Sequence, residues 1–296
     1  MKELITGGSG LIGSYIVRGS PRKKIVAPSR EELDITSWIS IKDFFDRVKP
    51  DIVIHLAAQT GIFKGEKERG DKKGIFWQTN VEGTRNIVRA CATYKSYLIH
   101  ISPEVVFAGT KERPGPYTED DPPEDNPNLL SWYGWTKREA EIIVFQEISS
   151  AVVVRLSSFV GRDNQPRPDY ARKILQAFDE RKLPPMFTDQ YIGLTYQDEF
   201  LQVLKKLIKE RLPGIFHVAS TNQFTPFEFA NFLLEKARGV KEIVKPGSIE
   251  DFLRKHPLTF PQFSGLKIEK TQKKLGVKFS TWQEMLEKIV ENIKEF

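Results

Sequence analysis

The first eighteen residues constrain this chain most. Lys2-Glu3-Leu4-Ile5-Thr6 reads as a strand and runs straight into Gly7-Gly8-Ser9-Gly10-Leu11-Ile12-Gly13, after which a helical pattern extends from Leu11 to Arg18. A strand, a glycine turn and a helix in immediate succession form the context of a dinucleotide-binding unit. Glycine permits φ > 0 and lets the backbone approach a ligand closely. The helix N-terminus then offers free N–H groups and a partial positive charge to a pyrophosphate. Two spacings fit, Gly8-x-Gly10-x-x-Gly13 and Gly7-x-x-Gly10-x-x-Gly13. Cofactor contacts are expected from Gly7, Gly10, Leu11 and Ile12.

The stretch Lys23-Lys24-Ile25-Val26-Ala27 reads as a second strand and is followed by Pro28-Ser29-Arg30. At this point a dinucleotide site meets the adenosine ribose, where an acidic residue binds the 2′-OH of NAD and an arginine accommodates the 2′-phosphate of NADP. Arg30 can hold phosphate bidentately and Ser29 can donate a hydroxyl, so NADPH is the expected cofactor. Glu31 and Glu32 keep NAD open. Asp34 and Ile35 follow within the same wall of the expected site.

A helix is expected near 40–49. The apolar run 51–58 reads as a strand covered on both faces, and its small residues, with Leu56, Ala57 and Ala58, let backbone lie against a cofactor. Residues 61–75 are polar and glycine-rich and read as a mobile loop. A helix over 76–94 and a strand over 97–101 come next, ending at Ser102. An irregular excursion covers 108–128, then a helix 133–147 and a strand 151–156. Alternating strand and helix means a doubly wound parallel sheet, an α/β fold of Rossmann type. Its expected extent is 1–160. Residues 161–296 read mainly as a smaller substrate-binding lobe, with some segments returning to the sheet. In it, helices are expected near 169–181, 198–211, 225–237 and 280–296, and strands near 192–196, 215–218 and 241–245.

One cysteine, Cys91, excludes an internal disulfide and fits a reducing cytoplasm. No apolar run is long enough to span a membrane, and the N-terminus opens on a strand rather than a signal peptide. The histidines, His55, His100, His217 and His256, are scattered, so no metal site is expected. Of the net charge of +6, residues 1–148 contribute nothing (21 Lys+Arg against 21 Asp+Glu). Residues 149–296 contribute all of it (24 against 18). That suits an anionic ligand in the second half, with Arg167, Arg172 and Lys173 as candidates near a phosphate. No basic stripe with interleaved aromatics appears, which argues against nucleic acid.

Tyr133 and Lys137 lie four apart on one helix face. A free tyrosine has a pKa of roughly 10, and a nearby ammonium lowers it. Such a pair can pass a proton to a substrate oxygen while a nicotinamide moves hydride at the carbon.

With these pieces in place the whole chain resembles the extended short-chain dehydrogenase/reductase family. The resemblance rests on Thr6-Gly7-Gly8-Ser9-Gly10-Leu11-Ile12-Gly13, His55-Leu56-Ala57-Ala58, Asn80-Val81-Glu82-Gly83-Thr84 and Tyr133-Gly134-Trp135-Thr136-Lys137. Within that family it is most similar to the dTDP-4-dehydrorhamnose reductase branch, through Leu33-Asp34-Ile35-Thr36, Ser102-Pro103-Glu104-Val105-Val106-Phe107 and Ser264-Gly265-Leu266. The resemblance implies NADPH-dependent (or NADH-dependent) reduction of a 4-keto group on a nucleotide-linked deoxysugar. Tyr133, Lys137 and Ser102 would be catalytic and Glu104 would face the substrate. Assembly as a homodimer is open.

The chain departs from the branch pattern at several places. Pro103 stands where the branch has Thr and Glu104 where it has Asp. Phe260 stands where the pattern has Arg, and Ser158 where it has an aromatic. These changes lie on the substrate side and leave a changed substrate and a lost activity both open. Two alternatives therefore stand beside the reductase. One is a nucleotide-sugar epimerase or dehydratase with tightly held NAD. The other is a non-catalytic dinucleotide-binding subunit like the methionine adenosyltransferase partner.

Overall fold

The computed structural model describes residues 1–19, 25–162 and 167–293. Lys23 and Lys24 of the expected second strand, and residues 294–296 of the last expected helix, lie outside these. The chain begins β1 (Glu3–Thr6), α1 (Leu11–Arg18), β2 (Ile25–Val26), α2 (Trp38–Val48), β3 (Ile52–His55) and α3 (Ile62–Glu66). It continues with α4 (Ile75–Trp77), a π-helical turn Gln78–Glu82, α5 (Gly83–Tyr94), β4 (Tyr97–Pro103), α6 (Trp132–Glu147) and β5 (Val152–Leu156).

The second half holds β6 (Ser158–Val160), α7 (Tyr170–Asp179), β7 (Met186–Phe187), β8 (Leu194–Tyr196), α8 (Gln197–Glu210) and β9 (Gly214–Val218). It ends with α9 (Pro226–Arg238), β10 (Pro246–Gly247), α10 (Ile249–Lys255), α11 (Glu269–Leu275) and α12 (Trp282–Ile293).

Among the described residues the main sheet has six strands in the order β2-β1-β3-β4-β5-β9, all parallel. The continuous apolar runs follow from burial on both faces. Ile52, Ile54, Ile99, Ile101, Val152 and Val154 enter the core that α1, α8 and α11 cover. Their alternates Val53, Leu98 and Val153 enter the core under α2, α5 and α6. β9 comes from the second half of the chain. The remaining small strands pair as β6 with β8 and β7 with β10, around a third core centred on Phe224, Phe229 and Trp282.

The strand order reverses at β1, whose neighbours are β2 on one side and β3 on the other. Ligands of open α/β sheets bind at such a switch point, beyond the carboxyl ends of the strands. The glycine turn after β1 and Leu56–Ala58 after β3 therefore face the same crevice.

Two expectations are corrected. No strand covers 241–245. Glu242 has φ +52°, which breaks extended backbone, and the pairing falls just beyond, at Pro246–Gly247, where β10 joins β7. Residues 61–75 are not an untethered loop. Ile62–Glu66 is helical, and Arg69 anchors the segment by donating to the carbonyls of Pro127 (3.2 Å) and Leu130 (2.7 Å) and to Glu66 (2.6 Å). The polar composition was spent on these tethers. The helix expected over 76–94 is present but carries the π-helical turn. There the buried Asn80 donates to Thr136 Oγ1 of α6 (2.9 Å) and exchanges two hydrogen bonds with the backbone of Gln59.

Candidate active site

Two adjoining cavities of about 480 and 460 Å³ form one cleft, sharing Gly7, Gly10, Leu56, Ala58, Thr60 and Arg167. Leu11, Ile12, Ser102, Pro103, Tyr133, Lys137, Ser157 and Lys173 complete the first. Ser29, Arg30, Asp34, Ile35, Ala57 and Lys64 complete the second. The structure thus brings every residue expected at the cofactor, and the three expected in catalysis, to one crevice.

The phosphate end is shaped by missing side chains. Gly7 has φ +72°, and a Cβ there would lie 2.7 Å from the Ala57 nitrogen. A Cβ at Gly13 would run into the Gly7 carbonyl oxygen. α1 starts with no side-chain cap and no acidic residue in its first turn, so the first N–H groups of the helix face the cleft with the positive end of the dipole. This cradle fits the pyrophosphate of a dinucleotide. At the other end, Arg30 and Ser29 are exposed. Glu32 does not line the cavity, and its carboxylate accepts the Ser29 N–H at 2.8 Å. Burial opposes ionisation of Asp34, but bonds from the Thr36 hydroxyl and amide, with Arg30 nearby, hold its carboxyl below the usual range. The set Ser29–Arg30 fits a 2′-phosphate.

A buried network fixes the floor between the two ends. The Thr6 hydroxyl accepts the amides of Leu56 and Ala57 (3.3 Å each) and lies 2.7 Å from His55 Nδ1. His55 Nε2 lies 3.1 Å from the Thr84 hydroxyl, which donates to the Asn80 carbonyl at 2.6 Å. The Thr84 proton is thus committed, so we assign the His55 proton to Nε2 and the Thr6 hydroxyl as donor to Nδ1. Burial, then the Lys137 charge, pushes His55 down to about 3. This histidine is a neutral structural linker.

At the catalytic end, Ser131 caps α6 by accepting the Gly134 N–H at 3.1 Å, which sets the helix that carries Tyr133 and Lys137. Lys137 is 3% exposed. Its ammonium donates to the Ile101 carbonyl at 2.9 Å and lies 3.1 Å from His100 Nε2. Burial brings Lys137 down to about 8, against a raising contribution from Glu141. The expected lowering of Tyr133 by Lys137 is not found. Burial alone drives the phenol above its ordinary value. Ser102 is 2% exposed, and its buried hydroxyl has no hydrogen-bond partner among the described residues. An unpaired buried group of this kind costs about 1–3 kcal/mol, which favours a ligand oxygen at that point. Pro103 lines the cavity with an apolar ring.

The substrate candidates divide. Arg167 and the exposed Lys173 line the cleft. Arg172 does not reach it. Its guanidinium is held by Asp169 (2.5 Å) and by the carbonyls of Gly161 and Arg162 (2.9 Å each). Glu104 is buried and sits behind the wall, accepting from the Ser157 hydroxyl (2.8 Å) and the Gly265 N–H (3.2 Å). Burial pushes its carboxyl up to about 7, and it touches the cleft only through Ser157. Phe260 packs against Phe63 and Phe252, with ring centroids 5.7 and 6.4 Å away.

Sequence reasoning missed Thr60 and Lys64 on the wall, and Glu66, which accepts the Trp132 N–H at 2.6 Å. A lone polar residue in a glycine-rich stretch gives no signal of such a partner.

Three kinds of comparison agree with this geometry. A dTDP-4-dehydrorhamnose reductase of Aggregatibacter actinomycetemcomitans is 26% identical over 302 residues, covering 97% of both chains. The methionine adenosyltransferase 2 subunit beta of Xenopus tropicalis is 27% identical over 314 residues, covering 97% of this chain and 89% of its own. The crystal structure of a dTDP-4-dehydrorhamnose reductase from Bacillus anthracis in complex with NADP superposes with a TM-score of 0.86 at 27% identity. That match covers 98% of this chain and 99% of the other. The model of one family, the RmlD substrate binding domain, matches residues 1–295. With that span and this architecture, the chain belongs to the RmlD substrate binding domain family.

Proposed function

We propose that the chain is an NADPH-dependent reductase of a 4-keto group on a nucleotide-linked deoxysugar, with NADH as the lesser cofactor. The observation that carries this reading is the buried Ser102 hydroxyl, without a hydrogen-bond partner among the described residues and set beside Tyr133 and Lys137 in the cavity that also holds the glycine turn. When bound, NADPH supplies a hydride to the carbonyl carbon. Tyr133, which burial keeps protonated, gives its proton to the carbonyl oxygen. The Ser102 hydroxyl donates a hydrogen bond to the same oxygen and orients it. Lys137 presents its ammonium to the nicotinamide ribose. Arg30 and Ser29 take the 2′-phosphate, and Arg167 and Lys173 take the diphosphate of the substrate.

In this reading residues 1–160 hold the cofactor, and most of 161–296 hold the sugar nucleotide, with β9 returning to the sheet. The buried free thiol of Cys91 suits the cytoplasm, and sedimentation tests the homodimer. Among the described residues no helix is long and apolar enough to cross a membrane.

Pro103 and the likeness to a methionine adenosyltransferase subunit support a second reading, a non-catalytic dinucleotide-binding subunit. Incubation with NADPH and a panel of nucleotide-linked 4-ketosugars, followed by absorbance of the reduced nicotinamide, separates the two. Oxidation of NADPH with one of the sugars is expected. Tight NADPH binding with no turnover on any of them gives the second reading.

A further inference from the structure

We propose that His100 is a positioning residue for Lys137, taking one ammonium N–H so that another is aimed into the cleft. The inference rests on the reductase reading only for its activity arm. An ammonium has three donors and no acceptor. The Ile101 carbonyl takes one at 2.9 Å and His100 Nε2 takes a second at 3.1 Å. Both acceptors come from consecutive residues of β4, so the sheet holds the lysine from two directions and the third N–H is left for the cavity that Lys137 lines.

For Nε2 to accept, the His100 proton must sit on Nδ1. That atom is buried and without a hydrogen-bond partner among the described residues. Among the described residues only Lys137 meets a ring nitrogen of His100, and an apolar side chain would leave no orphaned donor. The contact with Lys137 is what the imidazole supplies. His55 cannot replace it. Its ring centroid lies 5.3 Å from that of His100, and both its nitrogens are taken up by Thr6 and Thr84.

The titratable and charged groups around Lys137 are Tyr133 and Glu141 on α6, His100 on β4, His55 on β3 and Arg155 on β5. Glu141 is committed to Arg155 at 2.7 Å, so His100 and the Ile101 carbonyl are the polar partners that the ammonium keeps. Burial together with the Lys137 charge holds His100 far below its ordinary value, so it stays a neutral acceptor.

Removing the acceptor disfavours the charged lysine. The charged form is present below the Lys137 pKa of about 8 and is lost as pH rises through it. His100→Leu is therefore expected to move that loss to lower pH, by about tenfold in proton dissociation constant, or one pKa unit. His100→Gln, whose terminal amide oxygen reaches the place of Nε2, is expected to stay close to wild type. Should the leucine variant not fold, His100→Asn serves, since its shorter amide falls short of the ammonium.

The test is an NMR titration of isotopically labelled lysines in the full chain without cofactor, with Lys137→Arg assigning the signal. Beside it runs the pH profile of kcat. A downward shift in His100→Leu or His100→Asn but not in His100→Gln supports the proposal. An unmoved Lys137 signal, or an equal shift in the glutamine variant, overturns it. If the wild type turns over no ketosugar while the lysine shift persists, the positioning role stands and the reductase reading falls.

Discussion

Glu66 accepts the backbone N–H of Trp132 at 2.6 Å, so the segment after β3 holds the first turn of the helix that bears Tyr133. Arg69 keeps the carboxylate in place at 2.6 Å. Gly65 leaves little room beside that turn, since a Cβ there would lie 3.2 Å from the Tyr133 nitrogen. Glu66→Ala is expected to cost about 2 kcal/mol, the worth of a hydrogen bond to a charged group, and to lower Tm by roughly 5 °C. kcat should fall by up to about 10²-fold as Tyr133 shifts. Glu66→Gln keeps an acceptor oxygen and should lose less. Calorimetry and turnover measured on both variants check this. Equal losses would mean that the carboxylate charge, rather than the bond to Trp132, is what matters.

Arg30 stands exposed at the adenosine end of the cleft beside Ser29. Replacing it with aspartate removes a charge-assisted contact worth about 1.5–3 kcal/mol, roughly 10- to 100-fold in affinity. It also puts a carboxylate where the free 2′-OH of NADH can use it. Arg30→Asp should narrow or reverse the preference for NADPH. Titration of both cofactors by fluorescence checks it, and identical ratios of the two dissociation constants before and after the change would defeat it.

Tyr133→Phe should lower kcat by about 10²- to 10⁴-fold, the usual worth of a positioned acid, while NADPH still binds. Ser102→Ala should cost less, about 1 kcal/mol for one neutral hydrogen bond. It should also leave the protein no less stable, because the hydroxyl it removes has no partner to lose among the described residues. Steady-state kinetics with urea unfolding measures both. Turnover unaffected in Tyr133→Phe would mean that the acid is another group.

Glu104 links β4 to the second half of the chain through Ser157 and Gly265. Burial raises its carboxyl to about 7 in the folded state, above an unfolded value near 4.3. A raised group gives stability that is fully present below the unfolded value and is lost as pH rises through the folded one. Between about pH 4.5 and 7 the stability should therefore fall by an amount on the order of 3 kcal/mol from this group. Glu104→Gln should remove that share of the slope. Urea midpoints at pH 5 and pH 8 for the two proteins test this, and parallel pH dependence would show that Glu104 is ionised in the folded protein.

The sequence alone determined the sheet and the cofactor face. Strand, glycine turn and helix are local, and the long apolar runs demand cover on both sides, so the doubly wound order and the facing of Gly7, Gly10 and Leu56–Ala58 follow from patterns a few residues long. What the charged groups do was decided by tertiary structure. Arg172, Lys173 and Arg167 look alike in sequence, yet Asp169 and two carbonyls claim the first and leave the other two on the cleft wall. Tyr133 and Lys137 share a helix face, but β4, reached only through the fold, takes the ammonium, and burial raises the phenol. A side chain's charge and hydrogen bonds depend on which distant groups are brought within about 3 Å of it, and that distance is set by how the layers pack, not by spacing along the chain.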